Sequence, residues 1–228
     1  MSIHLSQLPE IKIVRHARAK CLRLRVQPTQ IRLTAPVLCS KRQIQNFIEQ
    51  SEVWLLKTWQ QQQQKIATQD QSLPTELKLF NLDCCIKVAY QTQKQNFIFD
   101  VENLHLYISD REPKTYLKAF VMSYAKQHLP IYLQQIAQTC VLDFTQCTVR
   151  QAKTRWGSCT SKHAIMLNSA LVLMSKEITR YVCVHELAHT QHFDHSARFW
   201  SLVEKHDPHF QQHRKILKST AMPFWWQC

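Results

Sequence analysis

The sequence predicts an α+β chain: a β-rich N-terminal part with one helix, then a mainly helical part with a small sheet. Three observations carry this reading. Short alternating apolar and polar runs dominate the first 110 residues, apolar residues fall at helical spacing from about residue 115, and two long helical patterns start near Ser175 and Ser196. The change of character places a boundary near residue 110, giving a basic β-rich domain over 1–110 and a second domain over 111–228.

Leu22, Leu24 and Val26 alternate with Arg23 and Arg25, and Ile31, Leu33 and Ala35 with Arg32 and Thr34. With Pro28 between them these read as a hairpin with one buried face and its arginines turned away from the core. Ser40 is placed to cap a helix carrying Ile44, Phe47, Ile48, Leu55 and Trp59 on one stripe. The run Gln60–Gln64 and the stretch to Pro74 read as a fraying end and a linker. Strands are expected at Leu77–Phe80, Cys84–Tyr90, Asn96–Asp100 and Leu104–Ile108. Tyr116, Leu117, Phe120, Val121 and Tyr124 then have helical spacing, and Pro130 either kinks that helix or starts a new turn. Strands near Cys147–Gln151 and Ala164–Leu167 precede the two later helices.

Composition narrows the function. At 45% hydrophobic residues the chain can bury a core, and no apolar run approaches the roughly 18 residues of a membrane span. Met1–Leu5 lacks a basic region followed by an apolar one, so a secretory signal is not expected. Nine scattered cysteines without a C-x-x-C pair argue for free thiols in a reducing, cytoplasmic setting. The single glycine, Gly157, is expected where a side chain would not fit. The net charge is +13, and residues 1–42 hold nine basic side chains against Glu10 alone. That asymmetry fits an anionic partner (nucleic acid, a nucleotide or an acidic protein), against the plainer reading of a solvated face.

The chemistry lies in His185-Glu186-Leu187-Ala188-His189, at the end of the apolar stretch from Ile178. On a helix, His185 and His189 share one face, so both imidazoles can hold one Zn²⁺ with Glu186 beside them as general base. His195 follows six residues later and is the candidate third ligand. His185, His189 and His195 have the metzincin spacing, with His192 where metzincins place the glycine of the turn. His192 is a competing ligand candidate. Three protein ligands leave the fourth position to a water whose pKa the metal lowers to about 7.

Arg155-Trp156-Gly157-Ser158-Cys159, Ile165-Met166-Leu167-Asn168, the stretch Tyr181–His189, His195-Ser196 and Phe199-Trp200 together resemble the YgjP-like metallopeptidase-domain family, whose core is similar to SprT-like and other minimal zincins. The basic hairpin, Trp54–Lys57 and Asp207-Pro208 also resemble it, so the likeness covers about residues 11–218. It implies a zincin-like metal-dependent hydrolase domain, zinc on His185, His189 and His195, Glu186 as base, and Arg155–Cys159 on a strand and turn beside the active-site helix. The family often has Gly at the position of His163 and near Asn81.

Arg155 binds an anionic group or oxyanion, or instead holds its turn against a carboxylate. Trp156 either packs in the core or walls the substrate cleft, and Asn168 braces a backbone turn. Cys159 has no separate histidine partner in the sequence and is a poor nucleophile candidate. Peptide hydrolysis with zinc is the leading function. Hydrolysis of nucleoside triphosphates at the same site is the alternative, drawing on Lys153, Arg155 and Lys162. A protease docked on nucleic acid through the basic hairpin is a further one. No membrane partner is expected.

Overall fold

The computed structural model describes residues 8–27, 29–68, 72–220 and 222–226. The expectations for Met1–Leu5 and Pro28 lie outside them. The chain divides into two compact units, residues 1–71 and 72–228.

The first unit is a three-stranded sheet with two helices. Strands β1 (Ile11–Arg15), β2 (Arg23–Val26) and β3 (Ile31–Ala35) lie in the order β1-β3-β2. The expected hairpin is the antiparallel pair β2–β3, and β1 joins β3 in parallel. β1 escapes a sequence reading because Ile13 and Val14 break its alternation. Ser40 caps α1 (Lys41–Gln50) through a capping box: its hydroxyl accepts from the Gln43 N–H at 3.2 Å, while the Gln43 side chain accepts from the Ser40 N–H at 2.8 Å. The expected single helix is two. The Ser51 N–H closes α1 on Phe47 and Ile48, and α2 (Glu52–Thr68) follows. The glutamine run lies inside α2 rather than in a linker. Ile44, Ile48 and Leu55 cover Ile31, Leu33 and Ala35.

The second unit has one core running from Leu77 to Trp226. Strands β4 (Glu76–Leu77), β5 (Ile86–Gln91), β6 (Phe97–Asp100) and β7 (His105–Ser109) form a sheet in the order β4-β5-β7-β6. Leu79 and Phe80, read as strand, are buried outside it, and the Phe80 N–H donates to the Val172 carbonyl at 2.9 Å. This sheet packs on α3 (Pro113–Cys140), which runs unbroken through Pro130. The division therefore falls after residue 71, whereas the change of sequence character lies near 110. Secondary structure switches at 110, but Phe97, Phe99 and Phe120 pack edge to face across that point.

A second sheet, β8 (Gln146–Arg150), β9 (Gly157–Cys159) and β10 (Ala164–Asn168), has the order β8-β10-β9, with β8 parallel and β9 antiparallel to β10. Then come α4 (Lys176–Ala188), α5 (Ala197–His206) and α6 (Phe210–Ser219). Neither α6 nor the buried pair Trp225 and Trp226, which pack in the same core, is anticipated from sequence. Among the described residues no helix is long and apolar enough to cross a membrane.

The last turn of α3 closes on Val141 at φ 55°, a left-handed conformation that a β-branched residue adopts at a cost. Val141 is 88% exposed, so its side chain adds little packing. Val141→Gly is expected to stabilise the protein by about 1 kcal/mol, raising Tm by about 2–4 °C in a thermal melt. An unchanged or lower Tm would show that the turn is unstrained.

Candidate metal centre

Helix α4 starts at Ser175, whose hydroxyl accepts from the Ile178 N–H at 3.4 Å, with Glu177 in its first turn. Ile178, Tyr181, Val182 and Val184 bury the helix and fix its rotation. His185 and His189 then stand one turn apart, ring centroids 5.0 Å apart and nearly perpendicular. The helix ends there, with His189 as its C-cap. The Gln191 and His192 N–H groups both donate to the Ala188 carbonyl, and the chain turns back to bring in His195. Left-handed backbone among the described residues occurs at Leu104, Val141 and His163, so the turn at His192 needs no glycine. His163, where the family often has Gly, is one of those three, at φ 57°.

One ligand nitrogen from each of His185, His189 and His195 lies within 4.8 Å of the other two. The Nε2 atoms of His185 and His195 are 3.3 Å apart. Two nitrogens bound to one tetrahedral Zn²⁺ at about 2.0–2.1 Å stand about 3.3–3.4 Å apart, so the donor set fits zinc. Burial, followed by the neighbouring imidazoles, pushes His185 down to about 3, and burial lowers His189 too. Both rings are thus neutral at pH 7, with lone pairs free for a cation. His189 Nδ1 lies 3.0 Å from the His192 carbonyl, which fixes the tautomer that leaves Nε2 as donor atom. His192 thus contributes its backbone here, and its side chain is not part of the cluster.

Phe199 is the floor of the site. It is fully buried, stacks on His189 at 4.4 Å and meets His185 and His195 edge to face at 4.9 and 4.8 Å. Trp200 lies 5.7 Å from His185 and 5.6 Å from His195, stacks on Phe210 and carries the Arg214 guanidinium over its face at 4.7 Å. Asp207 accepts from, or pairs with, His213 Nδ1 at 2.8 Å, tying the end of α5 to α6. In the sequence Phe199-Trp200 stands out through the family resemblance. The four-residue step from His195 to Phe199 was the signal for the floor; nothing in the sequence marked Arg214.

Glu186 is 6% exposed and lies against the sole glycine. A β-carbon on Gly157 would fall 2.5 Å from Glu186 Oε1 and 2.7 Å from its carboxyl carbon, so the sequence expectation for Gly157 holds. Asn168 braces the approach, as its side-chain reading expected. Its Nδ2 donates to the Ala152 and Arg155 carbonyls at 2.8 Å each, and its backbone N–H donates to the Trp156 carbonyl. Trp156 packs on the core and also lines a cavity of about 220 Å³ with Gly157, Tyr181, Val182, His185, Glu186 and Leu217. Burial pushes Glu186 up to about 8, with Arg155 pulling the other way. The Arg155 side chain itself is exposed. Burial pushes the Cys159 thiol up to about 11, which keeps it a poor nucleophile.

A carboxyl whose folded pKa is raised stabilises the fold below its unfolded value and loses that contribution as pH rises through about 8. In chelator, Glu186→Gln is therefore expected to match the parent near pH 5 and to exceed it by a few kcal/mol at pH 9, read as a Tm difference that widens with pH. A constant difference from pH 5 to 9 would contradict the buried carboxyl.

No curated protein matches the chain. Among solved structures, the metallopeptidase zymogen abylysin of Pyrococcus abyssi is similar at 23% identity and a TM-score of 0.34, over 40% of this chain and 94% of that one. The model of the YgjP-like metallopeptidase domain matches residues 20–220. With that match over most of its length, the chain belongs to the YgjP-like metallopeptidase-domain family.

Proposed function

We propose that the protein is a zinc-dependent metallopeptidase in which His185, His189 and His195 hold the metal and Glu186 is the general base. The observation that carries the reading is the convergence of three imidazoles beside a buried carboxyl, next to an edge strand. A zinc ion held there supplies, when bound, polarisation of the scissile carbonyl and a lowered pKa for the attacking water.

The chain's own residues do the rest. Glu186 accepts the water's proton on its carboxylate and delivers it to the leaving amine. Its raised pKa suits a group that must hold that proton between the two steps, and its position against Gly157 limits where the carboxylate can lie. β9 lies at the edge of its sheet, so an extended peptide can pair with it as a further strand. The cavity beside Glu186, walled by Trp156 and Tyr181, then receives a substrate side chain. Arg155 supports the charged carboxylate or a developing oxyanion. Eight cysteines among the described residues are free thiols, which supports a reducing compartment such as the cytoplasm.

The phosphoanhydride reading has Arg155 near Glu186 in its favour. Against it, the cavity lining of Trp156, Tyr181, Val182 and Leu217 is largely apolar and suits a side chain better than a polyphosphate.

Zinc-loaded protein is expected to contain one zinc per chain and to cleave casein. His189→Ala loses both metal and cleavage. Glu186→Gln keeps the metal and loses about 10²–10⁴-fold in rate. Gly157→Ala keeps the metal and loses about 10²-fold, because it displaces the base. Phosphate release from nucleoside triphosphates that vanishes in Glu186→Gln, with casein untouched by the parent, would replace the peptidase reading with the phosphoanhydride one.

A further inference from the structure

The charge of this chain is concentrated where the metal centre is not. Residues 1–71 carry eleven Lys and Arg against four Asp and Glu, more than half of the net +13 in under a third of the length. The register of the sheet gives that charge a shape. Lys12 pairs with Arg32 across β1–β3, and Arg25 pairs with Arg32 across β2–β3. The three cations therefore form one row across all three strands, about 4.8 Å from neighbour to neighbour at the backbone. The next row on the same face is Val14, Thr34 and Arg23. Lys12, Arg23, Arg25 and Arg32 are all exposed, while the opposite face of β3, Ile31, Leu33 and Ala35, is buried.

Like charges placed directly opposite each other on a sheet destabilise it. Among the described residues none of these cations is paired with a carboxylate; the ion pair Asp207–His213 lies in the other unit. The nearest acid in sequence is Glu10, two residues before Lys12. Arg15 shows what a structural arginine does in the same sheet. At a register position of the opposite face, beside Ala35, it donates to the carbonyls of Pro36, Val37 and Cys39 at 3.3, 2.7 and 2.7 Å. None of the four outer cations makes such a side-chain bond among the described residues.

We propose that this outer sheet face, Lys12, Arg23, Arg25 and Arg32, docks on the phosphate backbone of double-stranded nucleic acid. A row of cations set side by side by strand register complements a polymer that presents a negative charge about every 1.7 Å along its axis. Between the cations the face offers Val14 and Thr34 and no aromatic ring, so it has no platform for the unstacked bases of a single strand. Binding is by phosphate contact and carries no base readout. This inference is independent of the metallopeptidase reading, because none of its residues belongs to the metal centre.

The test is fluorescence anisotropy of a short labelled DNA duplex with the full chain, titrated between about 50 and 200 mM salt. Four phosphate contacts give a slope of log K against log salt of about −3.6, a loss of about 10²-fold over that range. Arg23→Gln, Arg25→Gln and Arg32→Gln together should flatten the slope by about 2.7, and replacing the three with Lys should preserve it. A matched variant of the other unit, Lys87→Gln, Lys94→Gln and Lys215→Gln, should leave the slope unchanged. If circular dichroism shows the triple Gln variant unfolded, Arg25→Gln alone should flatten the slope by about 0.9. Four results overturn the proposal. They are absence of duplex binding at the lowest salt, a slope unaltered in the Gln variants, an equal loss in the control, and single-stranded DNA or polyglutamate binding as tightly as duplex.

Discussion

The candidate site depends on one close approach: the Glu186 carboxyl occupies the space where residue 157 would have its β-carbon. Any other residue there collides with the carboxyl group, so position 157 and position 186 are a single decision. That approach is held from both sides. Asn168 pins the carbonyls of Ala152 and Arg155 and so sets the path of the chain into β9, while the apolar face of α4 sets the rotation that aims Glu186 at it. The pressure on the carboxyl comes from the same packing. A group enclosed by Trp156, Tyr181 and Val182 is desolvated, which is why its pKa rises despite Arg155.

The imidazoles depend on a second constraint, the aromatic floor. A histidine ring has two rotatable bonds, and three such rings aimed at one point lose substantial rotamer freedom. Phe199 restricts all three at once through one stack and two edge contacts, and α5 is held in turn by Trp200 on Phe210 and Asp207 on His213. Preorganisation of the site is therefore distributed over α4, α5 and α6, although its three histidines come from α4 and the turn after it.

Much of this was legible in the sequence, and the rest was not for identifiable reasons. His185, Glu186 and His189 announce themselves because a four-residue step on a helix leaves few other geometries. The α+β class, the cap at Ser40, the helix starts near Ser175 and Ser196, the β2–β3 hairpin and the bracing role of Asn168 follow from local rules of period and hydrogen bonding. What local rules miss is long-range. β1 is a strand because β3 accepts it in parallel, Gln60–Gln64 is helical as part of α2, and Trp225 and Trp226 are buried by a core that starts near Leu77. The unit boundary belongs to the same class: secondary structure changes at 110, but packing does not. The break at Ser51 is a local event, yet the stripe from Ile44 to Trp59 conceals it.

Having one glycine affects the unfolded chain as well as the folded one. Elsewhere the chain takes left-handed turns with Leu104, Val141 and His163, each at a local cost of about 1–2 kcal/mol in the native state. A backbone that carries a β-carbon at nearly every residue also has fewer conformations to lose on folding, a gain of about 0.4–1 kcal/mol for each site where a glycine would otherwise sit without strain. Part of this protein's stability thus resides in the stiffness of its disordered ensemble, and it would be invisible to any inventory of native contacts.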